Sequence, residues 1–423
     1  MRDLFITFVV LAGCVYTLKK PYIGILLWSW LSYMNPHRLA YGFAYNMPFA
    51  QITALTLLVS MVLSKDTRKL PVNGLTTIWI VFVLFMGLTT VFAYFPDAAQ
   101  TQYLRIVKIQ FIVFLTMMLM TDLEKIRQLI WVIVLSLGYF SVKGGLFTLL
   151  TGGSYRVWGP ESSFIEDNNS LAVAVLMTIP LMIYLYQSSR KSLIKKGLLV
   201  AIVLSLFTVL GSQSRGALLA IATVVAFFWL KTDKKMVSGI LILIISGTML
   251  LFLPESWFQR MDTIQTYDQD ASAMGRINAW EYAFNAANHQ LLGMGLDSWS
   301  LETFYLYAPN PKDVHAAHSI YFSVLADHGW IGLILFLSIF FMTWRKLSKI
   351  IKATSKDDNL SEINSMAKMI QVSLLAYFSG GAFLSLSYFD LPWHLASLVV
   401  LLETTVTQQT PPNPLPKTVP TPN

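Results

Sequence analysis

Leu75-Thr-Thr-Ile-Trp-Ile-Val-Phe-Val-Leu-Phe-Met-Gly-Leu-Thr-Thr-Val-Phe-Ala-Tyr-Phe95 runs for 21 residues without a charged side chain. As a helix it would cover about 30 Å, the thickness of a bilayer's hydrocarbon core, so the stretch predicts a membrane span. Working outward, further apolar runs occupy residues 4–18, 23–34, 52–63, 111–120, 129–150, 171–186, 197–210, 216–230, 236–253, 320–344, 370–388 and 391–402. The chain is therefore expected to be an all-α polytopic transmembrane bundle of about 12–13 helices. The run at 4–18 begins almost at Met1 with no small-residue cleavage site, and reads as a retained anchor.

Composition agrees. Of 423 residues, 55% are hydrophobic and only 13% charged, with a mean hydropathy of +0.57. A soluble enzyme carries about a quarter of charged residues, so that class is excluded. The single cysteine, Cys14, rules out an intramolecular disulfide and any multi-cysteine metal site.

Charge placement sets the orientation. Lys19/Lys20, Lys65/Arg68/Lys69, Lys125/Arg127, Arg190/Lys191/Lys195/Lys196, Lys231/Lys234/Lys235 and Arg345/Lys346/Lys349/Lys352 occupy alternate loops. By the positive-inside rule those loops are cytoplasmic, and residues 154–170 and 254–317 lie outside. The net charge of +8 then reports topology and contact with anionic lipid, with no sign of the clustered basic face that nucleic-acid binding needs. Three regions are expected: N-terminal spans at 1–150, a core at 151–407 containing the long periplasmic loop 254–317, and a proline-rich disordered tail at 408–423. Within the loop, Ile277, Trp280, Phe284, Ala287 and Leu291 recur at helical steps and predict an amphipathic helix over 274–292. The polar cytoplasmic stretch 346–369 reads as a short helical connector. No paired interrupted helices of the transporter kind are seen.

Chemistry-bearing residues gather at the outer side. Arg215 sits in a polar turn between two apolar runs, and Arg276 opens the amphipathic segment. Each alone is explained by a snorkelling or solvated arginine. As a pair they could neutralise a pyrophosphate, because a guanidinium forks onto phosphate oxygens without a metal. Metal ligands at a convincing spacing are absent from the outer loops: Asp262, Asp268 and Asp270 read as a solvated acidic turn. Asp167-Asn168-Asn169 precedes a span, where Asp or Asn either caps it or orients a sugar hydroxyl or one of the arginines. His318 stands where the loop re-enters a helix, followed by Ser319, Gly329 and Gly332. Steps of eleven and fourteen residues would place His318 and both glycines on one helix face, the glycines packing a neighbouring helix. Near a helix N-terminus the imidazolium is disfavoured, leaving a neutral nitrogen as acceptor.

The pattern His318-Ser319-x9-Gly329-x-x-Gly332, with Ser214-Arg215-Gly216-Ala217, Gly275-Arg276 leading to Trp280, and Gly293-Met-Gly295, resembles the O-antigen ligase and polymerase superfamily. The resemblance covers about the C-terminal two-thirds of the chain. The N-terminal region through Asn35-Pro36-His37-Arg38 is similar to the O-glycosylation ligase subgroup associated with the exosortase sorting system of Gram-negative bacteria.

What the resemblance implies is a glycosyltransferase of the inner membrane, without metal or other cofactor. It would take a polyprenyl-pyrophosphate-linked glycan as donor and a protein hydroxyl or lipid A core glycan as acceptor. Arg215 and Arg276 would hold the pyrophosphate and His318 would be the catalytic base. His315, three residues upstream, is a second candidate base, and Asp167, Asn169 and Ser319 are supporting candidates. In-line displacement would invert the anomeric carbon. Two other roles stay open: a polymerase of lipid-linked repeat units, which shares the donor clamp, and a glycolipid flippase, which needs an outer basic cavity but no base.

Overall fold

The structure is a computed structural model that describes residues 1–64, 69–231 and 271–409, with isolated positions between 235 and 258. Every regular element among the described residues is helical. In chain order these are α1 (Arg2–Lys19), α2 (Tyr22–Met34), α3 (Phe49–Leu63), α4 (Gly74–Val91), α5 (Pro96–Leu119), α6 (Leu123–Leu150) and α7 (Asn168–Ser188). They continue as α8 (Ser192–Gly211), α9 (Arg215–Lys231), α10 (Ala271–His289), α11 (Leu301–Tyr307), α12 (Ile320–Thr354), α13 (Ser361–Gly381) and α14 (Asp390–Gln409). Helices α4, α5, α6, α7, α8 and α12 are long and apolar enough to cross a membrane, and α2, α3 and most of α9 form shorter apolar helices. The chain is a multi-pass helical membrane bundle.

Local signals start the spans where expected. Asn73 accepts from the amides of Leu75 and Thr76 at 2.9 and 3.2 Å while Thr76 returns a bond, a capping box that opens α4. Asp122 caps α6 and Asp167 caps α7. Helix α7 is buried almost throughout and forms the axis of the bundle, packed by α6, α8, α9 and α13. A second layer is keyed by aromatics: Trp393 of α14 stacks on Phe82 of α4 at 6.0 Å and meets Phe336 and Phe340 of α12. Helices α1–α3 form a satellite with its own small core of Val10, Cys14, Leu31 and Phe49, leaving Leu4, Phe5, Phe8 and Leu11 on an exposed apolar face.

Each apolar run within the described residues coincides with a helix. The run at 236–253 lies mostly outside them, as do Lys65, Arg68, Lys234, the acidic trio Asp262, Asp268 and Asp270, and residues 410–423 of the tail. Several boundaries differ from expectation. Gln408 and Gln409, assigned to the tail, still belong to α14. The run at 370–388 ends as a helix at Gly381, because residues 382–389 turn back into the site described below. The stretch 346–369 is no separate connector: it is the last turns of α12, a short 3-10 turn and the start of α13. The amphipathic helix exists as α10 and buries Ala287 of the expected stripe, but most of its buried face is Ala279, Tyr282, Ala283 and Ala286. Phe284 and Leu291 of the expected stripe are largely exposed. The helix is clamped between α11 and α12, so small residues where the helices meet decide which side is buried.

Candidate active site

The site is built on the turn that enters α12. Ala317 is fully buried, and its carbonyl accepts a 2.7 Å bond from Trp280 Nε1. The Trp280 indole lies flat on Phe322, with ring centres 5.0 Å apart and planes at 8°. From the other side Ser387 donates to the Ile320 carbonyl at 3.1 Å. Between these fixed points His318 adopts φ of +42°, in the left-handed region, and Ser319 takes the N-cap position. A non-glycine residue held there stores local strain that the surrounding packing and hydrogen bonds must hold.

The expected single helix from His318 through both glycines is not what forms. His318 precedes the helix, and α12 breaks at Gly329, whose φ of 64° and ψ of −169° belong to a region open essentially to glycine. The eleven- and fourteen-residue steps therefore cross a break, and the shared-face argument fails. The break frees the carbonyls of Ala326 and Asp327, which accept instead from the amides of Met294 and Gly295 at 2.8 and 3.0 Å. Gly293 and Gly295 have φ of +72° and +82°, so this loop can turn tightly against the kink. A Cβ on Gly329 would sit 2.7 Å from the Leu291 carbonyl oxygen. Gly332 is crowded first from its own helix: a Cβ there would lie 2.2 Å from the Cβ of His328, the residue that the kink swings over it, and 3.5 Å from the Phe85 ring of the neighbouring α4. The histidine–serine and two-glycine spacing is thus the signature of a strained turn followed by a broken helix.

Around His318 the structure gathers most of the predicted residues. Burial lowers its pKa first, the Arg276 cation and His315 lower it further, and Asp167 opposes them. Each of these groups therefore lies within electrostatic reach of His318, and the net result favours its neutral imidazole. Asp167 is the cap of α7, accepting from the amides of Asn169 and Ser170 at 2.9 and 3.0 Å. Asn169 is half-buried in the first turn of α7. Asn168, the middle residue of the run that precedes the span, donates to the Ser212 carbonyl at 2.7 Å and so ties this cap to the turn carrying Arg215, the first residue of α9. Gly216 packs on Phe383, whose ring is 6.3 Å from that of Trp280, which brings α9, α10 and the 382–389 turn together. His315 is exposed and paired with Asp313 at 2.8 Å over the bare Cα of Gly275. Ser319 Oγ is buried without a hydrogen-bond partner among the described residues.

Sequence reasoning missed a second polar group below the kink. Tyr388 Oη lies 2.8 Å from Asp327 Oδ2 and 2.9 Å from His328 Nε2, while His328 Nδ1 is 2.7 Å from Thr89 Oγ1. Asp327, Tyr388, Asp297, Trp299, Ser323 and Gln102 line a cavity of about 220 Å³ that also touches Ala316. The signal was present: an Asp-His pair inside an apolar run is costly in a membrane unless it is paired or used.

Residues 200–337 match the O-antigen ligase family model, and residues 1–190 match a family of unknown function. No curated protein matches the chain. The segment 200–337 takes in Arg215, Arg276, His318, Gly329 and Gly332, and through it this part of the chain is similar to the O-antigen ligase family.

Proposed function

We propose that the protein is a membrane glycosyltransferase that moves a glycan from a polyprenyl-pyrophosphate carrier to an acceptor hydroxyl at the periplasmic face of the bacterial inner membrane. The acceptor is a protein or a lipid A core glycan. The observation that carries this reading is the placement of a half-buried His318, its pKa lowered by burial and by Arg276, within reach of Arg276 and Asp167 inside the segment that matches the O-antigen ligase family. In this mechanism Arg215 and Arg276 bind the pyrophosphate and stabilise the charge that grows on it as the anomeric bond breaks. His318 takes the acceptor proton, and a neutral imidazole suits that role. Attack opposite the leaving pyrophosphate inverts the anomeric centre, and the two guanidinium groups supply the charge that a metal would otherwise provide.

The test is transfer from a defined lipid-linked oligosaccharide by the purified chain, with a protein and a lipooligosaccharide acceptor offered in parallel and the products identified by mass spectrometry. Transfer that depends on His318 and survives EDTA is expected. Lengthening of the donor glycan alone would identify a polymerase. Donor flipping that persists in His318→Ala, with no transfer in the wild type, would identify a flippase. Orientation is checked with single cysteines in a Cys14→Ser background. Asn310→Cys should react with an impermeant thiol reagent in spheroplasts and Ser355→Cys only after lysis; the reverse pattern would put the site on the wrong side.

A further inference from the structure

A polar-rimmed cavity lies away from His318, between α2, α3 and α5 and the start of α14. It encloses about 730 Å³, within the range of small-ligand pockets. Its lower walls are apolar, and Leu55, Leu58 and Phe111 are partly exposed there on the outside of the bundle, so the cavity opens sideways toward lipid. Its rim is polar, with Asn35, His37 and Ser163.

Two cations enter this cavity from inside a membrane span. Arg105 and Lys108 stand one turn apart on α5, about 13 and 18 Å along the axis from its first residue. Both side chains are exposed. Arg105 stacks on the Phe164 ring at 4.2 Å and feels Asp390, whose carboxylate is itself engaged by Ser32. Lys108 has no ion pair among the described residues. Charged side chains at such depth persist where they face a cavity and meet a ligand or a counter-charge. One carboxylate against two cations leaves the slot with an excess positive charge, above an apolar channel that opens to the membrane.

We propose that this slot binds the phosphate head of a single-tailed isoprenoid phosphate, with Arg105 and Lys108 on the phosphate and the chain running down between α3 and α5. The lipid is the carrier of the reaction proposed above, on which only its identity rests. Position supports the assignment. Phe164 lines both this slot and the small polar cavity beside Ala316, and Ile106 and Tyr388 line the second cavity next to Arg105 and Phe389 of the first. A carrier lipid held here would sit outside the pyrophosphate clamp of Arg215 and Arg276, next to the cavity of Trp299, Asp297 and Asp327 that reaches Ala316, two residues before His318 in sequence. The slot is built largely from the segment 1–190, which gives that segment a role in handling the lipid.

The experiment uses the full-length chain in nanodiscs of zwitterionic lipid, with a photoreactive farnesyl phosphate as probe and the labelled peptides mapped by mass spectrometry. Labelling of the α3 and α5 peptides is expected in the wild type and in His318→Ala alike. Arg105→Gln with Lys108→Gln should weaken capture by about a hundredfold, about tenfold for each charge-assisted hydrogen bond removed. Leu55→Trp, which fills the channel and keeps both charges, should also reduce capture, so a folding defect in the double variant cannot mimic the result. Photoreactive farnesol should label weakly. Equal capture by wild type and double variant would overturn the proposal, as would displacement by phosphatidylglycerol as effective as by unlabelled farnesyl phosphate. Capture that depends on both cations, in a protein that never transfers a glycan, would keep the lipid site and remove the ligase reading. Normal transfer with no specific capture would do the opposite.

Discussion

The two ends of the bundle use charge in opposite ways. At the lysine- and arginine-rich end, charges satisfy one another. Arg127 of α6 forks onto Glu362 of α13 with bonds of 2.7 and 2.8 Å from Nη2, reaches Glu124 as well, and Tyr184 of α7 donates to the same Glu362 at 2.8 Å. Lys346 and Glu403 likewise fasten α12 to α14. At the His318 end the fastening is done by backbone, through the Trp280 bond to Ala317 and the amides of Met294 and Gly295 on the broken helix. There Asp167 is committed to a helix cap, and His318 sits strained and neutral beside Arg276. One end is a buttress of paired charges, while at the other backbone hydrogen bonds do the fastening around the turn that carries His318. The lesson is that a charged residue's use shows in what holds its backbone.

The comparison breaks most sharply at the arginines. Arg276→Ala or Arg215→Ala should lower the transfer rate by about a hundredfold to a thousandfold while the protein still inserts, with lysine restoring only part. Full activity in either alanine variant would remove that arginine from the site. Next comes the backbone fastening: Gly329→Ala should destabilise the fold by about 3 kcal/mol through its forbidden φ/ψ and the Leu291 carbonyl. An unchanged melting temperature would mean the kink is dispensable.

Smaller effects sharpen the contrast. Trp280→Phe keeps the stack on Phe322 but removes the bond to the Ala317 carbonyl, and should cost about tenfold in kcat with little change in KM. At the buttress, Glu362→Gln should cost about 1 kcal/mol of stability, since the pair is partly exposed, and leave kcat unchanged. A kcat defect there would deny the division between the ends. The smallest effect is on pH. Because burial and Arg276 depress the His318 pKa, the base stays neutral below the ordinary 6.5, and activity should fall only on further acidification. Asp167→Asn removes the opposing anion and should move that acid limb lower. Arg276→Gln should move it higher in the residual activity.

How much of this could be read from residue order alone depended on the range of each interaction. The spans were legible because hydropathy is local: Leu75 to Phe95 has no charge to interrupt it. The arginines and His318 were legible because ionisable groups at the rim of an apolar run are conspicuous. The kink was not, since a glycine inside a helical pattern looks like a packing site until the Met294 and Gly295 amides arrive, more than thirty residues away, to take the freed carbonyls. The Asp327, Tyr388 and Thr89 partnership also joins three distant segments, and Tyr388 itself was assigned to a helix that ends at Gly381. The buried face of α10 was misjudged for a related reason: alanines become core when a neighbour comes close, and period alone cannot say which neighbour.

The crossing of the 293–295 loop with the break at Gly329 also bears on how the chain is born. The loop leaves the ribosome before the helix it serves, so its amides must wait in water, bonded to solvent, until the later span threads into the bilayer. The span in turn cannot adopt its broken form unaided, because two carbonyls would face the membrane unmatched. Insertion of this helix and closure of the site are thus coupled, and the turn that carries His318 is completed late in biogenesis.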